Sequence, residues 1–285
     1  MKKDITIIGG DLRIVYLAQM LADEGFSIHT YALEKANELL LNSEIEKYET
    51  LEKSIEKSDI IISSIPLSKD GENIISSYSE KIVTVDELYT NLQGKKFISG
   101  KLNDKFKNTD LFECYDILEN EEYAILNAIA TAEGAIQIAM EEYPKTISGS
   151  NILVMGFGRI GKILSKMLQG IGANVYCEAR KKEDLAYIKG YGYTPVDLKN
   201  LDENLPKFDI IINNIPVKVL GKEQLNLVKK DVLIIDLASN PGGVDFEYAK
   251  RKNLKTIWAL ALPGKVAPVS AAKYIKQTLY SIINN

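Results

Sequence analysis

The sequence predicts an α/β protein made of two doubly wound, parallel-sheet domains, and three observations carry that expectation. The segment from Ile5, ITIIGGDLRIVYLAQMLADEGFSIHTY, is repeated in kind by the segment from Ile152, ILVMGFGRIGKILSKMLQGIGANVYCE. Gly9 meets Gly156 at an offset of 147, and Leu17 meets Leu164, Leu21 meets Leu168 and Gly25 meets Gly172 at the same offset. Second, DIIISSIPL from Asp59 is echoed by DIIINNIPV from Asp209. Runs of consecutive isoleucine suit a strand buried on both faces. Third, short β-branched runs alternate with stretches whose apolar residues recur three or four apart, the pattern of strand–helix–strand units that form a parallel sheet.

The elements follow in order. A first domain is expected over residues 1–120. Its opening strand runs into a glycine turn, then a helix stopped at Gly25, then a second strand. Residues 121–145, rich in Ala, Glu, Ile and Leu and free of proline until Pro144, read as a helix between the domains. Pro144 ends it, and an interruption near Thr131 is expected. The second domain spans 146–268. Residues 269–285 form a last helix that packs back on the first domain. Two Rossmann-like domains would then flank a cleft, a usual place for a ligand.

Composition sets bounds. The chain has 285 residues, more than a single core usually occupies. With 46% hydrophobic and 26% charged residues it is ordinary for a soluble globular protein, and a net charge of −4 suggests neither a nucleic-acid-binding nor a membrane-surface protein. The start, MKKDITIIGGD, lacks the long apolar run of a signal peptide, and no apolar stretch approaches the roughly 18 residues of a membrane span. Cys114 and Cys177 fit a reducing compartment and no metal cluster. The oligomeric state is open, a homo-oligomer included.

Only the second copy is built for a dinucleotide. Gly156-Phe157-Gly158-Arg159-Ile160-Gly161 follows a strand and opens a helix, the context that gives a G-x-G-x-x-G its meaning. Gly156 permits the turn, Gly158 the approach of a pyrophosphate and Gly161 close helix packing, while the helix N-terminus receives the phosphate charge and Arg159 adds a donor. The loops after the later strands, with Asn214, Ile215 and Pro216 and with Ala238 and Ser239, complete the cofactor-binding set. In the first copy Asp11 and Ile14 stand where Gly158 and Gly161 stand in the second, so a carboxylate would repel phosphates and an isoleucine would crowd the turn. Asp11 and Arg13 either form a simple turn or face substrate.

The adenosine end decides the cofactor. The ribose carboxylate of NAD-binding members falls about 18 residues past the last glycine, which lands on Ala179. Strand neighbours point to opposite faces, so Glu178 turns away. Arg180, Lys181 and Lys182 follow. A missing acid beside cations is the arrangement for a 2′-phosphate, hence NADP. A register slip of one residue would restore Glu178 and favour NAD, and a solvated basic turn is the plainer alternative.

His29 is the single histidine, so residues 30–285 hold none of the acid–base histidines common in hydroxyacid dehydrogenases. Hydride transfer that needs little acid–base help is what remains. Ile234 to Pro268 carries two loops rich in glycine and proline at strand ends, with Ser239 and Asn240 as neutral donors and Lys265 as a cation, although Pro241-Gly242-Gly243 also reads as a connector.

GGDLR, TAEGAI, GFGRIGK, EAR, DLASNPGG and LPGKVAP together resemble the dipicolinate synthase A-subunit family over essentially the whole chain. That resemblance implies oxidation of dihydrodipicolinate, or its hydroxylated precursor, to dipicolinic acid with NADP as hydride acceptor. It also implies a flavoprotein-like dipicolinate synthase B-subunit as partner and a place in the cytoplasm of the mother cell during sporulation. The substrate is then a small dicarboxylate whose ring becomes aromatic on losing a hydride and a proton. Asp11, Arg13 and Lys265 are the candidate substrate-binding residues, with the two cations matching two carboxylates. Glu133 is the candidate base, with water as an equal alternative and a helix-terminal charge as the plain one. A hydroxyacid dehydrogenase-like or homocysteine-hydrolase-like enzyme, and a non-catalytic NADP-binding protein, are the competing readings.

Overall fold

The computed structural model describes residues 3–283. The chain forms two compact units: residues up to Leu126 together with those from Ala267 onward, and Asn127–Val266.

Unit 1 contains β1 (Asp4–Ile8), β2 (Ser27–Tyr31), β3 (Ile45–Lys47), β4 (Ile60–Ser63), β5 (Lys96–Ser99) and β6 (Glu113–Asp116), ordered β3-β2-β1-β4-β5-β6 and parallel at every pairing. Unit 2 contains β7 (Asn151–Met155), β8 (Asn174–Ala179), β9 (Thr194–Asp197), β10 (Ile210–Asn213), β11 (Leu233–Asp236) and β12 (Lys255–Trp258). Its order, β9-β8-β7-β10-β11-β12, is the same topology, again parallel throughout. Both sheets are the doubly wound arrangement that the two isoleucine runs and the repeated glycine turn predict. In each, the order reverses beside the strand that carries the turn, and ligands of such sheets bind beyond the strand ends at that switch.

The sequence accounts for the layers. Ile61 and Ile62 of β4, and Ile210, Ile211 and Ile212 of β10, are fully buried because helices cover both faces of a parallel sheet. Each unit therefore has two apolar clusters, one on each side of its sheet. In unit 1 the helix Leu12–Asp23 buries Ile14, Val15, Leu17, Ala18 and Leu21, and the terminal helix Pro268–Ile283 packs on it through Ala272, Ile275 and Leu279.

The helix Glu121–Glu142 runs without a break through Thr131, where the sequence suggests an interruption. The Thr131 hydroxyl donates to the Asn127 carbonyl one turn back, 3.0 Å, so a β-branched polar residue is accommodated within the helical ladder. This helix also meets the length and mean hydropathy of a membrane-crossing helix, 1.2 over its best 18-residue window, although its apolar residues form no unbroken run. Ala132, Ala135 and Ala139 lie in the core of unit 2, whereas Glu121, Glu122, Glu133 and Glu141 are exposed. It is amphipathic, as the core helix of a folded domain is.

Candidate dinucleotide site

The turn after β7 is held from two sides. Gly156 adopts φ +87°, a conformation that glycine alone takes without strain, and a Cβ there would sit 2.8 Å from Asn214 Oδ1. Its N–H donates to Glu178 Oε2 (3.1 Å) and its carbonyl accepts from Asn214 Nδ2 (3.0 Å). A side chain on Gly161 would stand 2.0 Å from that same carbonyl, which is the close packing expected of the third glycine. Gly158 is exposed, with nothing within 4 Å of where a Cβ would lie. It N-caps the helix Arg159–Gly170 and supplies no side-chain cap. The first N–H groups of a 12-residue helix thus open onto a clear space, where they and the helix dipole favour an anion. Arg159 is exposed at the helix start and Ile160 is half-buried against the core. This uncapped cradle fits the pyrophosphate of a dinucleotide.

At the end of β8, alternation separates two neighbours. Ala179 joins Val175 and Cys177 in the core under the helix Arg159–Gly170, and Glu178 projects to the other face. Glu178 is 1% exposed, and its Oε1 has no hydrogen-bond partner among the described residues. Burial pushes its carboxyl above the usual range, the Gly156 N–H and nearby Arg180 pull it back, and Asp197 pushes it further up. Arg180, Lys181 and Lys182 are all exposed just beyond.

The loops after β10 and β11 are fastened beneath the surface. Asn214 and Ile215 are half-buried beside the glycine turn, and Pro216 is exposed. Ala238 is buried and Ser239 exposed, in a loop that runs on through Asn240, Pro241, Gly242 and Gly243. Two residues that sequence reasoning passed over carry this region, Asn213 and Asp236, both with no exposure at all. Each is the polar last residue of an otherwise apolar strand, IIIN and LIID, and that placement was the available signal. Trp258 is a third: its Nε1 donates to the Ala238 carbonyl, 2.8 Å, and its ring stacks on Phe246 at 5.2 Å. Lys265 is exposed on the short helix Leu262–Val266, and Leu262 lies 3.1 Å from where a Gly134 Cβ would be, so the glycine of TAEGAI allows a close approach there.

Glu133 is exposed and lines an open groove of about 660 Å³ with Ile136, Gln137, Met140, Glu141, Met167 and Ile171. None of the other predicted site residues lines that groove.

In unit 1 the equivalent turn is occupied by the chain itself. Asp11 N-caps the helix Leu12–Asp23, its Oδ1 accepting from Arg13 N at 3.0 Å. Arg13, 7% exposed, forks onto the same carboxylate, Nε to Oδ1 and Oδ2 at 3.0 and 3.1 Å and Nη2 to Oδ2 at 2.7 Å, and also donates to the Ile65 carbonyl. Burial works against the Arg13 charge, but Asp11 and Tyr123 together more than offset it and hold the guanidinium above its usual value. Asp11 and Arg13 therefore hold each other rather than standing as two independent groups. Residues Ile74–Ser77 close over the turn: Gly10 N donates to Ile75 O (2.6 Å) and Ser77 N to Gly10 O (3.0 Å). Ile14 fills the place of the third glycine and lies 2.6 Å from where a Gly10 Cβ would be. His29 is buried on β2 near Asp4 (3.3 Å), with Tyr48 edge-on, in keeping with a structural role.

Residues 4–118 match the model of the N-terminal domain of the dipicolinate synthase A-subunit, and residues 125–241 that of the D-isomer specific 2-hydroxyacid dehydrogenase NAD-binding domain. The chain is 31% identical to the dipicolinate synthase A-subunit of Bacillus subtilis, over 98% of this chain and 95% of the relative. The crystal structure of the dipicolinate synthase A-subunit from Bacillus halodurans superposes with a TM-score of 0.90 at 28% identity, covering 99% of this chain and 98% of that one. That of the Bacillus subtilis protein gives 0.88 at 29%, covering 100% and 96%. A transhydrogenase from Sinorhizobium meliloti, 16% identical with a TM-score of 0.68, shares the fold alone.

Proposed function

The chain belongs to the dipicolinate synthase A-subunit family, and from that premise we propose that it oxidises dihydrodipicolinate, or its hydroxylated precursor, to dipicolinic acid with NADP as hydride acceptor. The observation that carries the reading is the pair of features at the two ends of one adenosine site. The glycine turn of unit 2 presents an uncapped helix, and the carboxylate next to the ribose position is buried against that turn while Arg180 and Lys181 are exposed.

When bound, the nicotinamide would accept a hydride, and the ring that gives it up would also lose one proton, so that a dihydropyridine becomes a pyridine and NADP⁺ becomes NADPH, the hydroxylated precursor losing one water in addition. The chain's own residues do the rest. Gly156, Gly158 and Gly161 leave room for the pyrophosphate, and the N-terminus of Arg159–Gly170 meets its charge. Arg180 and Lys181 meet the 2′-phosphate, Arg180 as a two-pronged donor. Ala179 lies in the core and brings no acid to this end of β8, and Glu178 is already held by the Gly156 N–H. Aromatisation supplies driving force, so the protein's part is to orient the ring and exclude water. Of the cations named for the two carboxylates, Lys265 is exposed while Arg13 already has Asp11, so Lys265 is the first candidate. The proton can leave to water, and the reading does not depend on Glu133. A flavoprotein-like B-subunit as partner and action in the mother cell during sporulation complete the proposal.

The test is a coupled assay. The dihydro-heterocycle is generated in place by its aldolase and mixed with this protein, with NADP or NAD, and with or without the B-subunit. The expected result is equimolar NADPH and pyridine-dicarboxylate, faster with NADP than with NAD. NADP binding without turnover under every condition would leave a non-catalytic cofactor-binding protein instead.

A further inference from the structure

We propose that Asn213 and Asp236 are positioning residues for the nicotinamide half of the dinucleotide. This rests on the reading that unit 2 holds such a cofactor, and adds which buried groups set the height of its reacting end.

The pair sits in register at the ends of adjacent strands β10 and β11. Asp236 Oδ1 accepts from Asn213 Nδ2 at 2.8 Å and from Ala238 N at 3.0 Å, and Oδ2 accepts from Gly243 N at 2.7 Å. One carboxylate thus ties both ends of the loop whose tip is Ser239–Pro241. Asn213 fastens the start of the neighbouring loop: its Nδ2 also donates to Ile215 O (3.1 Å) and its Oδ1 accepts from Ile215 N (3.2 Å). Every polar atom of both side chains is engaged. Asn214, next in the chain, then reaches the carbonyl of Gly156. Three loops at one sheet edge are therefore fixed relative to one another by groups that no solvent reaches.

Such a device is expensive, because a carboxylate moved out of water gives up its hydration and has to recover it from hydrogen bonds. The fold does not require it. One step past the Ile62–Ile98 pair of unit 1, the same two strand ends carry Ser63 and Ser99. Ser63 Oγ donates to Ile8 O at 2.9 Å and Ser99 Oγ to Ser64 O at 2.6 Å, so small hydroxyls close the edge of an identical sheet. The carboxylate–amide pair is present only in the half whose glycine turn is open. In a sheet of this order the adenosine lies with β8, on one side of the switch point. The nicotinamide half lies with the loops of β10 and β11 on the other. Those are the two loops that Asn213 and Asp236 pin.

The test borrows the unit 1 solution. The double variant Asn213→Ser/Asp236→Ser is compared with the unaltered protein by calorimetric titration with NADP and with adenosine 2′,5′-bisphosphate, which lacks the nicotinamide half. The expected result is a loss of about tenfold in NADP affinity with the bisphosphate bound as before. With substrate and partner present, kcat falls by about 100-fold, the size of effect a displacement of ~1 Å at a reacting centre produces. Equal weakening of both ligands would make the pair merely structural and overturn the proposal, as would no change in either. Should the double variant fail to fold, Asp236→Asn, which keeps the volume and mismatches one donor, is put through the same two titrations, and the same outcomes support or overturn the proposal. Failure of the unaltered protein to bind either ligand would refute the cofactor reading itself, a result separable from a selective effect of the variants.

Discussion

The two halves of this chain share one topology and differ in what sits on one helix. In unit 1 the helix after β1 begins under the carboxylate of Asp11, and in unit 2 the helix after β7 begins at Gly158, with no atom within 4 Å of where its Cβ would lie. These are the same position, 147 residues apart. A helix N-terminus has unsatisfied donors and a partial positive charge, and unit 1 answers that demand with an anion of its own. Unit 1 carries its anion in the chain and balances it with Arg13, and residues Ile74–Ser77 then cover the turn. Unit 2 leaves the position open, as the proposed pyrophosphate site requires. On that reading one fold satisfies its helix end in two ways, by a side chain of its own or by a bound phosphate.

The comparison can be broken at several points, in descending order of expected effect. Asp11→Ala removes the carboxylate partner of a guanidinium that is 7% exposed, so unfolding in denaturant is expected to show about 3–5 kcal/mol less stability, the usual consequence of breaking a buried ion pair at one partner. No dinucleotide binding appears in exchange, because Ile74–Ser77 still fill the turn. A loss below about 1 kcal/mol would mean that Arg13 is solvated by other means.

Gly158→Asp transplants the unit 1 cap into unit 2 and should drive two measurements in opposite directions. NADP affinity falls by about 100-fold, roughly 2.8 kcal/mol, while melting temperature holds or rises as the new cap adds about 1 kcal/mol. An unchanged titration would place the pyrophosphate elsewhere.

Arg180→Ala sharpens the adenosine end. NADP affinity should drop about tenfold, some 1.4 kcal/mol, with NAD nearly unaffected, since only the 2′-phosphate contact is lost. A parallel loss for both cofactors would make Arg180 a general electrostatic contributor.

Glu178→Gln is the smallest effect and reads through pH. A carboxyl raised by burial stabilises the folded protein fully below its unfolded value and loses that contribution as pH rises through the folded one. Thermal melts from about pH 4 to about pH 8 should therefore decline less steeply in the variant than in the natural chain. Superimposable profiles would assign the decline to other groups.

Much of this was legible in the chain. The isoleucine runs marked strands covered on both faces, the glycine spacing marked the competent turn, and Asp11 and Ile14 marked the incompetent one. What stayed hidden has a common cause. Asn213 and Asp236 form pairs across strands, and Ile74–Ser77 reach the first turn from more than sixty residues away. Sequence patterns report a residue's neighbours along the chain, and these partners are distant along it. Glu133 illustrates the converse. Its place in TAEGAI looked chemical, and it lines an open groove that no other candidate site residue lines, with Gly134 beside it closely packed on Leu262.

By itself the sequence determined the fold class, the duplication and which copy can cradle a phosphate, because each follows from local periodicity and from the volume of a side chain at one turn. The tertiary structure alone decided how that turn is held, through Glu178 and Asn214 on Gly156 and through Asp236 on its two loops. A hydrogen bond between strands depends on register and burial, and neither exists until the sheet has formed.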